Sequence, residues 1–214
     1  MAGEHGLLVE TGSLAVSHRL DAVLRAARPA GVVEIVPGPE TVLVVAPGAD
    51  QGLLRSRLDE LLGEALKPGE PGEALESREP GGALSGTGQG VVAIPVVYDG
   101  EDLDSVAELA GMSADDVIAR HTGRELVVGW LGFAPGFAYL IGLDPALHLP
   151  RLATPRTSVP AGSVAIAGPY SAIYPTASPG GWRLLGRTTT RIWDVDAEPP
   201  SLFRPGTRVR FEPA

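Results

Sequence analysis

Apolar positions in the first third of the chain alternate between the spacing of strands and that of helices. Leu7–Glu10 reads as a short strand. From Val16 to Arg28 the apolar Leu20, Val23, Leu24 and Ala27 recur at helical intervals, with Ser17 the expected N-cap, and Pro29 and Gly31 end the run. Val32–Val36 and Thr41–Val45 are β-branched segments separated by Pro37-Gly38-Pro39-Glu40, the pattern of a hairpin. Asp50 is placed to cap a second helix carrying Leu53, Leu54, Leu58, Leu61 and Leu62. This β-α-β-β-α order predicts a small α+β domain, two helices on one face of an antiparallel sheet.

The pattern then breaks. Residues 67–90 are dense in Pro, Gly and Glu and read as a linker or exposed crossover. Gly86, Gly88 and Gly90 resemble a dinucleotide loop, but the next segment, Val91–Tyr98, is a strand, whereas that fingerprint must open a helix. Helical spacing returns after Asp99 and stops at Gly111, and Ser113 caps a further helix with Asp115 and Asp116 in its first turn. The acids from Asp99 to Asp104 invite a calcium reading. An EF-hand loop starting at Asp99 requires glutamate where Ala110 stands, so solvated helix-start acids are the expectation. Arg124–Leu131 is a strand. Beyond it short β runs (Ser163–Ala167, Trp182–Thr188, Arg191–Trp193, Arg208–Glu212) alternate with Gly/Pro turns, as in a barrel or sandwich. Two domains are expected, 1–85 and 86–214.

Composition narrows the function. No apolar run approaches the ~18 residues of a membrane helix, and the acidic N-terminus lacks the pattern of a signal peptide. The expectation is a cytoplasmic protein without membrane contact. The absence of cysteine excludes thiolate chemistry and Cys-ligated metals. A net charge of −9 argues against nucleic acid as a partner. Residues 151–214 nevertheless hold 8 arginines against 4 acids, which suits either an ordinary mixed surface or a site for an anion. Lys67 is the only lysine and is followed by Pro68, so no P-loop is present.

The usual nucleophile motif G-x-S-x-G is absent, and the four histidines lack metal-ligand spacing, so no metal site is expected. His121 lies at a helix C-terminus, where the dipole favours an imidazolium; it serves either as a cap or as a general acid/base. The remaining signal is aromatic and turn-rich. GFAPGFAYL (132–140) crowds Phe133, Phe137 and Tyr139 onto broken backbone. TPRTSVPAGS (154–163) carries Arg156, Pro160, Gly162 and Ser163, and SPGGW (178–182) delivers Trp182 from a tight turn at Ser178, Gly180 and Gly181. Arginines Arg151 and Arg156 could fork onto a carboxylate or phosphate, the Gly-Gly turn could free amides for an oxygen-rich ligand, and Phe137, Tyr139, Tyr174 and Trp182 could wall a small ligand. The plainer alternative is barrel turns with aromatic plugs. Phe133 is the ring expected in the core.

LGFAPGFAYL, PRLATPRTSVPAGSVAIAG and IYPTASPGGWRLLGRT, in that order, resemble the family that holds the B-type subunit of 5-oxoprolinase and the kinase inhibitor KipI, also called allophanate hydrolase subunit 1. The likeness runs through to the closing PGTRVRF, and His121 falls at a family histidine; Ala172 stands where members often carry glycine. The resemblance implies an α+β N-terminal domain followed by a mainly-β cyclophilin-like barrel. It implies a protein that works with A-type and C-type subunits to open 5-oxoproline to glutamate at the expense of ATP. The active site would be shared with the C-type subunit, and ATP with magnesium held by the complex rather than tightly by this chain. His121 and Arg156 would then be the catalytic candidates. The substrate groove would comprise Phe137, Tyr139, Arg151, Pro160, Gly162, Ser163, Tyr174, Ser178, Gly180, Gly181 and Trp182. The family also implies two alternatives: inhibition of a sensor histidine kinase, and carboxyltransferase work in a urea or allophanate pathway.

Overall fold

The computed structural model describes residues 5–67 and 90–214. Its contacts divide the chain into two compact units, Met1–Leu84 and Ser85–Ala214. No helix among the described residues is long and apolar enough to cross a membrane.

The first unit runs β1 (Gly6–Glu10), α1 (Leu14–Ala27), β2 (Glu34–Pro37), β3 (Thr41–Val45) and α2 (Gln51–Ala65). Its strands form an antiparallel sheet in the order β1-β3-β2. Leu20 and Leu24 of α1 and Leu54, Leu58 and Leu61 of α2 bury against Val42 and Val44 of the central strand. Asp50 caps α2 as its sequence implies, accepting from the amides of Gly52 and Leu53. The first helix begins earlier than expected. Gly12 turns the chain at φ 71°, so Ser13 is the cap and accepts from Val16 N. Ser17 is instead buried inside the helix, its hydroxyl 2.6 Å from Thr11 Oγ1.

The second unit runs β4 (Val92–Val96), α3 (Leu103–Ala110), α4 (Ala114–Thr122), β5 (Leu126–Leu131), β6 (Ala138–Ile141), β7 (Arg156–Val159), β8 (Ser163–Ala167), β9 (Tyr170–Ile173), β10 (Ser178–Gly180), β11 (Arg183–Arg187) and β12 (Arg208–Pro213). Seven strands make one sheet in the order β11-β8-β9-β6-β5-β12-β4, and β7 and β10 pair as a separate ribbon. All pairings are antiparallel except β12 with β4. The sheet nearly closes into a barrel. A bridge between Val97 and Arg187 joins its two edges, extended by Gly100 N donating to Leu185 O at 3.1 Å.

Alternation along the strands separates two faces. Ile94, Val96, Leu126, Val128, Leu140, Val164, Ile173, Val209 and Phe211 form the interior. Ile166 and Leu185 pack with Leu103, Val106 and Val117 of the two helices. On the opposite face lie Ala165, Ala167, Ala172, Tyr174 and Leu184, with Val159 of the ribbon and Trp182 against them.

Strands β6 and β9 are too short to stand out by periodicity, and Arg191–Trp193 supplies only an isolated bridge from Trp193 to Ser201 rather than a strand. Three of the four acids considered for calcium are ion-paired: Asp99 with Arg187 at 2.8 Å, and Glu101 and Asp102 with Arg156 at 3.2 and 2.8 Å; Asp104 lies in the first turn of α3. The expected linker falls, apart from its ends, outside the described residues.

Candidate functional site

The GFAPGFAYL segment folds into a tight turn feeding β6. Gly132 N donates to Phe137 O, and Phe137 N donates back to Ala134 O, at 3.1 and 3.0 Å. Phe133 sits at φ 71° and Gly136 at φ 77°. A side chain on Gly136 would meet Trp193 Cβ at 2.7 Å, so both the conformation and the space require glycine. The turn reverses the expected burial. Phe133 is 63% exposed, whereas Phe137, at 1%, is the core ring. The left-handed backbone at Phe133 swings its ring outward.

Phe137 is the hub of an aromatic cluster on the outer face of the sheet. Its ring meets Tyr139, Tyr174 and Trp182 edge-on, with centroids 5.2, 5.4 and 5.5 Å away. Tyr139 stacks on Trp130 at 4.5 Å and meets Trp182 at 5.6 Å, and Tyr170 closes edge-on against Trp130 at 5.1 Å. The small side chains of Ala165 and Ala172 beneath leave room for these rings. Phe137, Tyr174 and Trp182 are buried, so they support the surface rather than form it. The half-buried Tyr139 and Tyr170, exposed Phe133 and exposed Arg151 present it to solvent. The Arg151 guanidinium carbon stands 5.9 Å from the Trp182 ring centroid. Burial raises the phenol pKa of both Tyr139 and Tyr174, so each remains a neutral hydroxyl near neutral pH.

The predicted turn residues lie next to this cluster and have structural work of their own. Gly180 passes so close to Tyr174 that an added Cβ would stand 2.2 Å from its hydroxyl. Gly162, at φ 82°, donates its amide to Tyr174 O at 2.8 Å, and the buried Ser163 accepts from Tyr174 N at 2.9 Å. Leu152 N donates to Gly181 O at 2.7 Å. Ser178 pairs with Val159 in the ribbon, and Pro160 is exposed at the ribbon's end. The Gly162 amide is therefore spent on the backbone.

Arg156 and His121, the two catalytic candidates of the sequence, are both engaged elsewhere. Arg156 lies on the ribbon opposite Gly180, but its Nη2 donates to Asp102 Oδ1 at 2.8 Å and its Nε to Glu101. Asp102 is itself buried and accepts from Leu184 N at 2.7 Å, so the pair ties the start of α3 to β11 and to the ribbon. Asp102→Asn is expected to cost about 2 kcal/mol in urea unfolding, through loss of a charge-assisted bond. An unchanged midpoint would show that the pair contributes nothing.

His121 is completely buried. Its Nδ1 lies 2.7 Å from Tyr98 Oη and its Nε2 2.9 Å from Ser171 Oγ, and its ring stacks on Phe211 at 4.5 Å. Ser171 Oγ donates to Ala165 O, so the consistent arrangement is a neutral imidazole donating from Nε2 to Ser171 and accepting the Tyr98 proton at Nδ1. Burial lowers its pKa to about 3, which overturns the expected imidazolium: desolvation outweighs the helix dipole. Ser171 points to the opposite side of β9 from Tyr170, so the sheet separates His121 from the aromatic face.

Asp102 as an anchor, and Trp130 and Tyr170 as members of the aromatic face, are not among the residues that the sequence singles out. Trp130 immediately precedes the aromatic motif, which is the signal that could have found it. Among the described residues no three His, Asp or Glu side chains converge as a metal site. Two grooves of about 490 and 510 Å³ lie in the first unit, flanking Pro29, and contain none of the predicted residues.

Relatives carry the same framework. The chain is 50% identical over 125 residues to the B-type subunit of 5-oxoprolinase from Escherichia coli O157:H7, a match covering 57% of each protein. The chain thus matches little more than half the length of that relative. The crystal structure of TTHA0988 is similar at 37% identity and a TM-score of 0.76, over 98% of this chain but only 39% of the longer one. The Kluyveromyces lactis urea carboxylase shares the fold at 23% identity and a TM-score of 0.69, over 100% of this chain and 21% of that one. The family model for the carboxyltransferase domain, subdomain C and D, matches residues 1–203, and the chain belongs to that family.

Proposed function

We propose that this chain is the B-type subunit of an ATP-dependent 5-oxoprolinase and acts with A-type and C-type subunits. The observation that carries this is the aromatic face around Tyr139 with Arg151 beside it, in a chain half identical over its matched part to a protein named for that role. An amide carbonyl is a poor electrophile. Transfer of the terminal phosphoryl group of ATP to the lactam oxygen activates the ring carbon. Water then adds to that carbon, the ring C–N bond breaks, and glutamate, ADP and phosphate leave. Charge developing on oxygen calls for preorganised cationic or N–H donors.

The aromatic face supplies a flat surface and one cation, which suits a small ring. With Arg156 held by two carboxylates, it lacks the several positive groups a triphosphate calls for. Nucleotide and its magnesium are therefore assigned to the companion subunits, and the active site to the boundary with the C-type subunit. The extra length of TTHA0988 beyond the shared region supports a companion domain.

The chain mixed with its companions should produce ADP and glutamate in equal amounts from 5-oxoproline, and the chain alone almost none. Robust turnover by the isolated chain would overturn the shared site. The carboxyltransferase name of the family favours a second reading, carboxyl transfer with a biotin-bearing partner. Biotin-dependent carboxylation in place of lactam opening would select it. Inhibition of a sensor kinase's autophosphorylation would instead select the KipI-like role.

A further inference from the structure

We propose that Arg151 is the specificity determinant that receives the carboxylate of the substrate, so that the site takes cyclic amides bearing a carboxyl group and discriminates against the same ring without one. This rests on the lactam reading of the site.

Several other arginines of the second unit have carboxylate partners inside the chain. Arg156 pairs with Asp102 and Glu101, Arg187 with Asp99, Arg191 with Asp194, and Arg208 and Arg210 with Glu125. Arg183 donates to Pro150 O. Arg151 has no carboxylate partner among the described residues and is exposed.

Its position is nevertheless fixed. Leu149 O accepts from Gly168 N at 2.7 Å, Pro150 O accepts from Arg183 Nε at 2.9 Å, and Leu152 N donates to Gly181 O at 2.7 Å. The backbone is thus anchored on both sides of Arg151. The guanidinium lies over Trp182, whose indole is 4% exposed and wedged against Phe137 and Tyr139. A cation resting on a ring keeps N–H donors available, and a guanidinium fork matches one carboxylate in a bidentate grip. Half-buried Tyr139, stacked on Trp130, is the neighbouring ring that meets Trp182. One fork held over an indole beside one ring fits a compact acid.

The test uses the reconstituted multi-subunit complex with wild-type, Arg151→Lys and Arg151→Ala chains, and compares 5-oxoproline with 2-pyrrolidinone, the same lactam lacking the carboxylate. Arg151→Ala should raise KM for 5-oxoproline about 10- to 100-fold, the value of a hydrogen bond to a charged group, with a smaller change in kcat. Lysine should restore part of the loss. Activity on 2-pyrrolidinone should be unmoved, so the preference for 5-oxoproline falls by the same factor. Calorimetric titration of the complex with 5-oxoproline should show the same weakening without turnover. An unchanged preference in Arg151→Ala would overturn the assignment while leaving the lactam reading intact, and so would loss of subunit assembly, which would make Arg151 an interface residue. A wild-type complex inert toward 5-oxoproline would overturn both.

Discussion

Gly186→Ala should strip the barrel unit of about 3 kcal/mol or more, the upper end of the cost of forcing atoms into a filled space. The new methyl would stand 2.3 Å from Val97 O and 2.9 Å from Tyr98 Cα, both backbone atoms that cannot swing away as a side-chain tip would. The site is the seam where the sheet meets itself. Arg187 N donates to Val97 O and Val97 N donates to Arg187 O, each at 2.9 Å, and the register of β11 shifts between Leu184 and Gly186 as it enters this contact. Gly100 faces the same seam from the other side, where a Cβ would lie 2.3 Å from Leu184 O. All three tryptophans lie in the second unit, so indole fluorescence during urea unfolding reads the barrel without interference from the first. Gly132→Ala, whose Cβ would find its nearest neighbour at an ordinary 3.7 Å, is the control and should move the midpoint by less than about 1 kcal/mol. A Gly186→Ala protein as stable as the control would mean that the two edges do not meet.

Acid should destabilise the same unit well before the carboxylates titrate. His121 is neutral in the fold with a pKa of about 3, against 6.5 for an unperturbed imidazole. Below 6.5 the unfolded chain takes up a proton that the folded chain refuses. The stabilisation is therefore complete above pH 6.5 and drains away as pH falls, by about 1.4 kcal/mol for each pH unit. Glu125, Asp116, Asp144 and Asp194 have lowered pKa values, so their contribution is lost only below the ordinary carboxylate range. Between pH 6.5 and 4.5 the predicted loss from His121 is about 2–3 kcal/mol. His121→Phe keeps a ring against Phe211 but cannot charge. It should be less stable at pH 7.5, because Tyr98 and Ser171 lose their partner, and should show a shallower decline on acidification. Parallel pH profiles for the two proteins would refute a neutral buried imidazole.

Hydrophobic spacing alone reveals α2 and its Asp50 cap, the paired runs of the first sheet, and strands β8 and β12. It fails where position in space decides the outcome. Leu140 and Ser171 pair across β6 and β9, but each strand has only four residues, too few for a period to show. Phe133 and Phe137 share one motif, and only the positive φ at Phe133 tells which ring turns inward. The aromatic cluster is legible as composition, and the structure brings Tyr139, Tyr174, Trp182 and Arg151 together. Arg156 looks available in the sequence because Asp102 is 54 positions away, and His121 looks chargeable because nothing local reveals that Phe211 and Ser171 enclose it. Long-range pairing thus gives both reactive candidates partners inside the fold, with Nη1 of Arg156 left buried and unpaired.

Strand β12 lies between β5 and β4, and its register with β4 couples residues more than a hundred positions apart. On the ribosome, everything from β4 to β11 must therefore emerge and wait with a gap in its middle. Until β12 leaves the exit tunnel, Val92–Val96 has no neighbour along the ladder it will join, and the hydrophobic lining around Phe211 lies open. Closure of this unit is consequently a late event in synthesis, and a nascent chain paused before residue 208 is the form in which chaperones would find the most to hold.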